Sequence, residues 1–209
     1  MIESPDTTAL LIRHAHTDAI GVRLVGRAAG VALSSAGRAQ ADHLGRALAN
    51  CPLAAIYSSP LQRAVHTAHA IARYQPAPLH VSEDFTEMDF GDWTGRTFEE
   101  LAALPDWHRF NTSRACASVP NGESPRQVQQ RVVGALARVA DGHGGRAIAI
   151  VTHADVLRAA VLHYAGTSLD CHDRFEISPA SVTAVTISRT RPRLLYVNNV
   201  SYAMPHERL

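Results

Sequence analysis

Residues 10–18 read LLIRHAHTD, an apolar run that ends abruptly in Arg13 and His14. Residues 147–155, AIAIVTHAD, repeat this pattern with an apolar run that ends at His153. A short apolar run bounded by polar residues is typical of a strand that is buried on both faces of a parallel sheet. The two stretches therefore predict two parallel strands, each followed by a histidine at its C-terminal end.

Helical patterns alternate with these strands along the chain. Serines followed by apolar residues at helical spacing predict a helix over about Ala36–Ala49. A second helix is predicted after Pro60, with Ser58 and Ser59 as possible caps, and a third with Pro125 in its first turn. Further predicted elements are strands in 53–59, 79–81, 181–188 and 193–199, a short helix near 98–104 and a helix directly after 153.

The alternation of strands and helices predicts an α/β fold. We expect a three-layer α/β/α sandwich around a largely parallel central sheet, because helices must cover both faces of such a sheet. A length of 209 residues fits a single domain over residues 1–209. In sheets of this kind ligands bind beyond the carboxyl ends of the strands. That rule directs attention to Arg13, His14 and His153.

The composition excludes a broad charged surface. With 20 basic and 19 acidic side chains, the formal charge of +1 offers no general field for nucleic acid or an anionic membrane. The 12 histidines are scattered along the chain rather than gathered in one tract. Any anion site must therefore be local, and we expect neither a nucleic-acid nor a membrane partner.

The cysteines and the N-terminus point to the cytoplasm. Cys51, Cys116 and Cys171 are odd in number and far apart, so neither a disulfide framework nor a structural zinc site is indicated. The N-terminus has no secretory pattern, and no apolar stretch approaches the length of a membrane span. We expect a soluble cytoplasmic protein, and leave monomer and homodimer open.

Polar residues at the strand ends suggest an anion pocket. Because adjacent parallel strands end at the same edge of the sheet, we expect His14 and His153 to face one pocket. A buried guanidinium without a partner is costly, so Arg13 usually implies an anion. Arg63, in the first turns of the helix after IYSSP, can point into the same cleft. Acidic residues follow at positions 83, 84, 87, 89 and 92, and spacing cannot choose among them.

A metal-dependent hydrolase is the competing chemical interpretation. On a strand, His14 and His16 would project to one side, and His153 and Asp155 repeat that interval. The cations Arg13 and Arg63 would however be repelled by a divalent metal. We therefore predict no metal site.

The motifs together resemble those of the histidine phosphatase superfamily, the phosphoglycerate-mutase-like enzymes. LLIRHAHT is similar to the RHG motif of that family, in which a histidine follows an arginine. The resemblance continues in order through YSSPLQRAVHTA, EMDFGDWTG, PNGES and VTHADVLRA. It spans nearly the whole chain and implies the phosphoglycerate-mutase-like fold, with no metal or organic cofactor.

The resemblance also implies roles for individual residues. His14 would be the nucleophile that is transiently phosphorylated, and Glu87 the acid that protonates the leaving oxygen. Arg13, Arg63 and His153 would surround the transferred phosphoryl group. This implies a phosphoric monoester hydrolase of the histidine acid phosphatase type, acting on a small phosphorylated metabolite.

Two other functions of the same fold are weighed against the phosphatase. The compact segment from Glu87 to His153 resembles the phosphatase branch, whereas cofactor-dependent phosphoglycerate mutases carry a longer insertion there. A non-catalytic phosphate-binding regulator is disfavoured because all five expected polar residues are present. We therefore predict a phosphatase, with a mutase as the alternative.

Several further residues are predicted less directly. Candidate substrate contacts are Thr17, Gly26, Arg27, Asn121 and Ala154. Ala15 and Ala154 replace the glycines usual after the two histidines, and a positive φ at either would cost on the order of 1 kcal/mol.

The residues that would set specificity are also predicted. Asp155 either caps its helix or restricts which phosphates bind. Trp107 and Phe110 form either a pocket wall or a small satellite core. Substrate specificity is expected to lie in 20–31 and 104–120.

Overall fold

The structure is a computed structural model that describes residues 6–188 and 190–202. The strands in this part of the chain are β1 (Thr7–Arg13), β2 (Leu53–Ser58), β3 (Leu79–Val81), β4 (Ala147–Thr152), β5 (Val182–Ile187) and β6 (Arg193–Asn199). The helices are α1 (Ser35–Ala47), α2 (Gln62–Ala72), α3 (Phe98–Ala102), α4 (Pro105–Thr112), α5 (Pro125–Asp141) and α6 (Ala154–Tyr164). Short 3-10 turns lie at Glu83–Phe85, Gly91–Trp93, Arg114–Cys116 and Leu169–Cys171.

The six strands form one sheet in the order β3-β2-β4-β1-β5-β6. The first four in this order run parallel, while β5 is antiparallel to β1 and β6 is antiparallel to β5. The neighbours β1 and β4 pair Arg13 with Thr152 at their last residues. The prediction of a largely parallel central sheet is thus confirmed, and the two strands identified in the sequence lie side by side.

Alternate residues of β1 pack into two different cores. Leu10 and Ile12 are buried with Leu44 of α1 on one face of the sheet, and Leu11 is buried with Leu157 of α6 on the other. Side chains that alternate along a strand require a covering layer on each side when both sets are apolar. The molecule therefore has the predicted three layers, with its cores on both sides of the sheet.

The most regular predicted helix begins as its sequence indicates. At the start of α5, the side chain of Ser124 accepts a hydrogen bond from the N–H of Gln127, whose side chain bonds back to Ser124. Pro125 occupies the first turn, where its missing N–H costs nothing.

The predicted caps of α2 were wrong. Helix α2 begins at Gln62, two residues after Pro60, and Leu61 precedes it without a side-chain cap. The hydroxyl of Ser59 instead accepts the N–H of Leu61 at 3.2 Å and bonds the ring of His153. Ser59 therefore bonds the residue that precedes α2 and the ring of His153, and it bonds no N–H inside the helix.

Helix α4 was not predicted from the sequence pattern. It places the ring of Phe110 5.3 Å from that of Trp93, with the Trp107 ring 5.4 Å from the same indole. Phe110 is fully buried in the main core, and Trp107 is half-buried at the edge of the cavity described below. Trp107 therefore lies at the pocket wall, whereas Phe110 belongs to the main core and not to a satellite core.

Over residues 6–188 and 190–202, no helix has the length and apolar character that crossing a membrane requires.

Candidate active site

A cavity of about 260 Å³ opens beyond the C-terminal ends of β1 and β4. Its buried part is lined by His14, Arg63 and Glu87, together with the half-buried Arg13. Its more exposed part is lined by Ile20, Arg23, Leu24, Phe98 and Trp107. The cavity lies where the topology of a parallel sheet places ligand sites.

The pairing of β1 with β4 brings the two predicted histidines together. The backbone N–H of His14 donates to the carbonyl of Thr152 at 2.9 Å, which continues the strand pairing by one residue. The ring centroids of His14 and His153 are 5.1 Å apart, and both side chains are buried. The two rings are thus neighbours as expected, but only His14 lines the cavity, and His153 is fully buried behind it.

The hydrogen bonds of His14 define which ring nitrogen carries its proton. Nδ1 lies 2.8 Å from the carbonyl oxygen of Ala15, which can only accept, so Nδ1 is the protonated nitrogen and donates. Nε2 lies 3.3 Å from Nε–H of Arg63, which can only donate, so Nε2 carries a lone pair. This tautomer leaves Nε2 as the unprotonated ring nitrogen.

The charge state of His14 agrees with this tautomer. Burial, together with the positive charge of Arg63, lowers the pKa of His14 to about 3. The pKa of His153 is lowered as well, by burial and by its neighbour His14. Both imidazoles are therefore neutral at pH 7.

Two guanidinium groups supply the positive charge of the cavity. Arg63 is almost fully buried, and its Nη2 donates to the carbonyl oxygen of Gly26 at 2.7 Å. Arg13 donates from Nη1 to the carbonyl of Ile177 at 2.6 Å, and its buried Nε has no partner among the described residues. Burial lowers the pKa of both arginines, which signals that their charge is poorly solvated. Such cations favour an anionic ligand.

Gly26 is required at its position by its backbone conformation. Its φ is +47°, and a Cβ there would lie 3.2 Å from both Phe90 and Thr94 side chains. The conformation turns the Gly26 carbonyl oxygen toward Arg63 and so fixes the guanidinium.

Burial distinguishes Glu87 from the other acidic residues of the middle segment. Of the five acids considered from the sequence, Glu87 alone is buried and lines the cavity, whereas Glu83 is exposed. Burial, and secondly the negative charge of Asp155, raises the pKa of Glu87 to about 7. Its Oε1 also accepts the N–H of Met88 at 2.9 Å. Glu87 can therefore hold a proton near neutral pH, as a general acid must.

Ser59 is a site residue that the sequence analysis assigned to a helix cap. Its hydroxyl lies 2.7 Å from Nε2 of His153, and both residues are fully buried. The Nδ1 atom of His153 is buried without a partner among the described residues. Ser59 thus fixes the orientation of an imidazole whose other nitrogen is unoccupied.

Neither alanine that replaces a usual glycine is strained. Ala15 and Ala154 do not adopt a positive φ, so a Cβ costs nothing there. The N–H of Ala15 donates to Oγ1 of Thr67 at 3.0 Å, and that hydroxyl donates to the carbonyl of Arg63. Ala154 begins α6 and lines the cavity.

The structure brings some predicted substrate contacts to the cavity and not others. Thr17 and Gly26 line it, and the buried hydroxyl of Thr17 has no partner among the described residues. Arg27 does not line the cavity. Its guanidinium donates instead to the backbone oxygen of Glu87 at 2.8 Å and to the carboxylate of Glu123 at 2.7 Å. It supports the Glu87 loop from outside.

Asn121 also lies outside the cavity. It is exposed, adopts a φ of 56°, and donates from Nδ2 to the carboxylate of Asp92 at 3.0 Å. These contacts connect two loops, so the expectation that Asn121 contacts substrate finds no support in its placement.

Arg114 is a cavity residue that sequence reasoning missed. It is buried after α4 and forms an ion pair with Asp155. Asp155 is not the cap of α6, because His153 occupies that position. Although burial disfavours its charged form, Arg114 and Arg158 hold the pKa of Asp155 below its ordinary value. A lone arginine in a stretch without a motif carries no pattern that could have identified this pairing.

The two histidines of the HAH triplet do not share a site. Strand β1 ends at Arg13, so the alternation expected for a strand does not apply to His14 and His16. His16 instead bonds the hydroxyl of Ser34 at 2.9 Å, at the start of α1. Among residues 6–188 and 190–202, no three histidine, cysteine or acidic side chains are grouped as metal ligands.

Comparison with known families finds one family that covers nearly the whole chain. The profile of the histidine phosphatase superfamily (branch 1) matches residues 9–200. The matched segment contains the two strand ends and the cavity residues described above.

Similar proteins and structures agree with that match. Phosphoserine phosphatase 1 of Hydrogenobacter thermophilus is 30% identical over 194 residues, which are 90% of this chain and 90% of that protein. The structure of YhfR of Bacillus stearothermophilus superposes with a TM-score of 0.88 at 30% identity, covering 94% of this chain and 98% of that chain. The bifunctional protein Rv2228c of Mycobacterium tuberculosis is 35% identical over 149 residues, 70% of this chain. The alignment covers only 41% of that relative.

Proposed function

This chain belongs to the histidine phosphatase superfamily (branch 1), and from that membership we propose that it hydrolyses small phosphate monoesters through a phosphohistidine on His14. The observation that carries the proposal is the tautomer of His14. Its Nε2 is the unprotonated ring nitrogen and accepts from Nε–H of Arg63 at 3.3 Å, and His14 lines the cavity together with Arg13, Arg63 and Glu87. A nucleophile, two cations and a protonated acid are the groups that phosphoryl transfer needs.

The cations act on the charge of the phosphoryl group. Its anionic oxygens repel a nucleophile, and donors around its equatorial oxygens remove that barrier. Arg13 offers its Nε, which has no partner among the described residues. His153 lies next to His14, and its buried Nδ1 also has no partner in that part of the chain. Arg63 completes this set at the side of His14.

In the first step, Nε2 of His14 attacks phosphorus as the bond to the leaving oxygen breaks. The electron pair of that bond goes to the leaving oxygen, which takes the proton of Glu87. The alcohol departs, and the enzyme holds a phosphohistidine and an ionised Glu87. Protonation of an alkoxide by a positioned acid contributes about 10²–10⁴-fold.

In the second step, water is the nucleophile. The Glu87 carboxylate accepts a proton from water as its oxygen bonds to phosphorus, and the P–N bond breaks. Inorganic phosphate leaves, Nε2 recovers its lone pair and Glu87 its proton. The same residue thus serves as acid and then as base.

The relatives support a phosphatase over a mutase. A phosphoserine phosphatase matches along 90% of both chains. The test is phosphate release from a panel of phosphorylated metabolites, including 3-phosphoglycerate, with product analysis. Interconversion of the 2- and 3-isomers of phosphoglycerate faster than hydrolysis would assign the mutase alternative instead.

The phosphohistidine itself can be trapped. Denaturation during turnover of a ³²P-labelled substrate should leave a label on the protein that is labile in acid and stable in base. A label that is stable in acid would place the phosphoryl group on a different residue type and contradict the proposal.

The activity should fall as the pH rises above about 7. Glu87 must be protonated to donate, and burial with the nearby Asp155 raises its pKa to about 7. The protonation of His14 does not limit the rate near neutral pH, since burial and Arg63 lower its pKa to about 3. We therefore expect kcat/KM for an alkyl phosphate to fall toward tenfold per pH unit above that pKa. Activity that rises steadily from pH 6 to pH 9 would contradict this assignment.

Ser59→Ala should lower kcat by about 3- to 10-fold, which corresponds to one hydrogen bond that orients His153. Ser58→Ala is the matched control, since Ser58 is equally buried and its hydroxyl donates to the backbone of Ser59 rather than to His153. Ser59→Thr keeps a hydroxyl and should restore part of the rate. Equal losses in Ser58→Ala and Ser59→Ala would show a packing effect only.

A further inference from the structure

A second cationic cluster lines the cavity apart from the phosphoryl-binding residues. It consists of Arg114, Asp155 and Arg158. Arg114 forms an ion pair with Asp155, and Nη1 of Arg158 lies 4.0 Å from the same carboxylate oxygen. Two guanidinium groups thus share one carboxylate, which leaves the cluster with a net charge of +1.

The hydrogen-bond donors of this cluster are not exhausted by Asp155. The Nε atoms of Arg114 and Arg158 are buried, and each is without a partner among the described residues. The side chain of Arg114 is 9% exposed, so water does not replace the missing acceptor freely. A desolvated cation with an unused donor is stabilised by an additional anionic acceptor.

The position of Arg114 is held by its surroundings. Its guanidinium stacks over the ring of Phe110 with its central carbon 4.3 Å from the ring centroid. Phe110 is itself fully buried in the main core. Asp155 pairs with the same guanidinium, so Arg114 is oriented before any ligand binds.

We infer that Arg114 and Arg158 bind a carboxylate on the leaving group of the substrate, an inference that rests on the phosphatase function proposed above. The cavity that holds Arg13, His14 and Arg63 also holds this cluster, so one ligand contacts both. A planar carboxylate matches the guanidinium fork and accepts from more than one donor. A cavity volume of about 260 Å³ suits a small phosphorylated acid.

A matched pair of ligands tests this inference. 3-Phosphoglycerate and glycerol 3-phosphate differ only in a carboxylate against a hydroxymethyl group. Each is used as a competitor of p-nitrophenyl phosphate hydrolysis, so that its inhibition constant is obtained whether or not it is turned over. We expect the wild type to bind 3-phosphoglycerate about 10- to 100-fold more tightly, as charge-assisted hydrogen bonds imply.

Arg114→Met should abolish that preference and leave the inhibition constant of glycerol 3-phosphate nearly unchanged. Arg109→Met is the control, since Arg109 lies on α4 and pairs only with the exposed Asp106 at 3.7 Å among the described ion pairs. It should keep the full preference. Arg158→Met is the second variant, for the case that Arg114→Met does not fold, and should weaken the preference in the same direction.

The inference would be overturned by a wild type without preference, or by a preference that survives both the Arg114 and Arg158 substitutions. Loss of affinity for both ligands alike in the two variants would show a structural role and also overturn it. The proposed function fails separately, if the wild type hydrolyses no phosphomonoester, p-nitrophenyl phosphate included. In that case the dissociation constants of 3-phosphoglycerate and glycerol 3-phosphate are measured by calorimetry, and the preference is judged by the same criteria.

Discussion

A His14→Ala variant is expected to lose on the order of 10⁴-fold in kcat, because the lone pair that attacks phosphorus is removed with the imidazole. The tautomer of His14 prepares this attack, since Nδ1 donates to the Ala15 carbonyl and leaves Nε2 unprotonated. Substrate binding should be less affected, because Arg13 and Arg63 keep their charge. The measurement is steady-state phosphate release together with the acid-labile label, which should be absent.

His16→Ala is the matched control for this variant. His16 is the same residue type two positions further along, and its ring bonds Ser34 rather than a group of the cavity. Its removal should change kcat little and leave the phosphoryl label in place. If His14→Ala retained the label, or if both variants lost activity equally, a nucleophilic role for His14 would be wrong.

A Glu87→Gln variant should lower kcat for an alkyl phosphate by about 10²–10⁴-fold, since glutamine cannot donate a proton to the leaving oxygen or accept one from water. The glutamine keeps the size of the side chain and can still accept the Met88 N–H. The fall in rate above about pH 7 should also disappear in this variant, because the group with the raised pKa is gone.

The dependence on the leaving group separates acid catalysis from damage to the fold. The first step with p-nitrophenyl phosphate, observed as a burst of p-nitrophenol, should lose much less than the first step with an alkyl phosphate, because its leaving group needs little protonation. Glu83→Gln is the control, an exposed acid of the same segment that bonds only Thr86 among the described hydrogen bonds. Equal losses for both leaving groups would argue against Glu87 as the acid.

Much of the fold follows from local patterns. The apolar runs before His14 and His153 predicted β1 and β4, and the motif with Pro125 predicted the start of α5. These elements are specified by residues close in sequence. A continuous apolar run marks a doubly buried strand, and a capping box followed by apolar residues at helical spacing marks the start of α5. Helix α4 was missed, because the polar residues around Trp107 and Phe110 hide the face that packs on Trp93.

The sequence by itself therefore determined β1, β4 and the polar residues at their ends, because a doubly buried strand needs a continuous apolar run. The strand order of the folded sheet is what makes the ends of these two strands meet. It did not determine which acid enters the cavity, because burial of Glu87 and exposure of Glu83 depend on the path of a loop.

The tertiary structure alone decided the partners of the remaining side chains. Ser59 turned from a predicted helix cap to His153, Arg27 turned out of the cavity, and Arg114 came in to pair with Asp155. The partners of Ser59 and Arg114 are 94 and 41 residues away in sequence. Contacts over such distances depend on how the packed layers of the fold meet, so the local spacing of residues in the sequence cannot predict them.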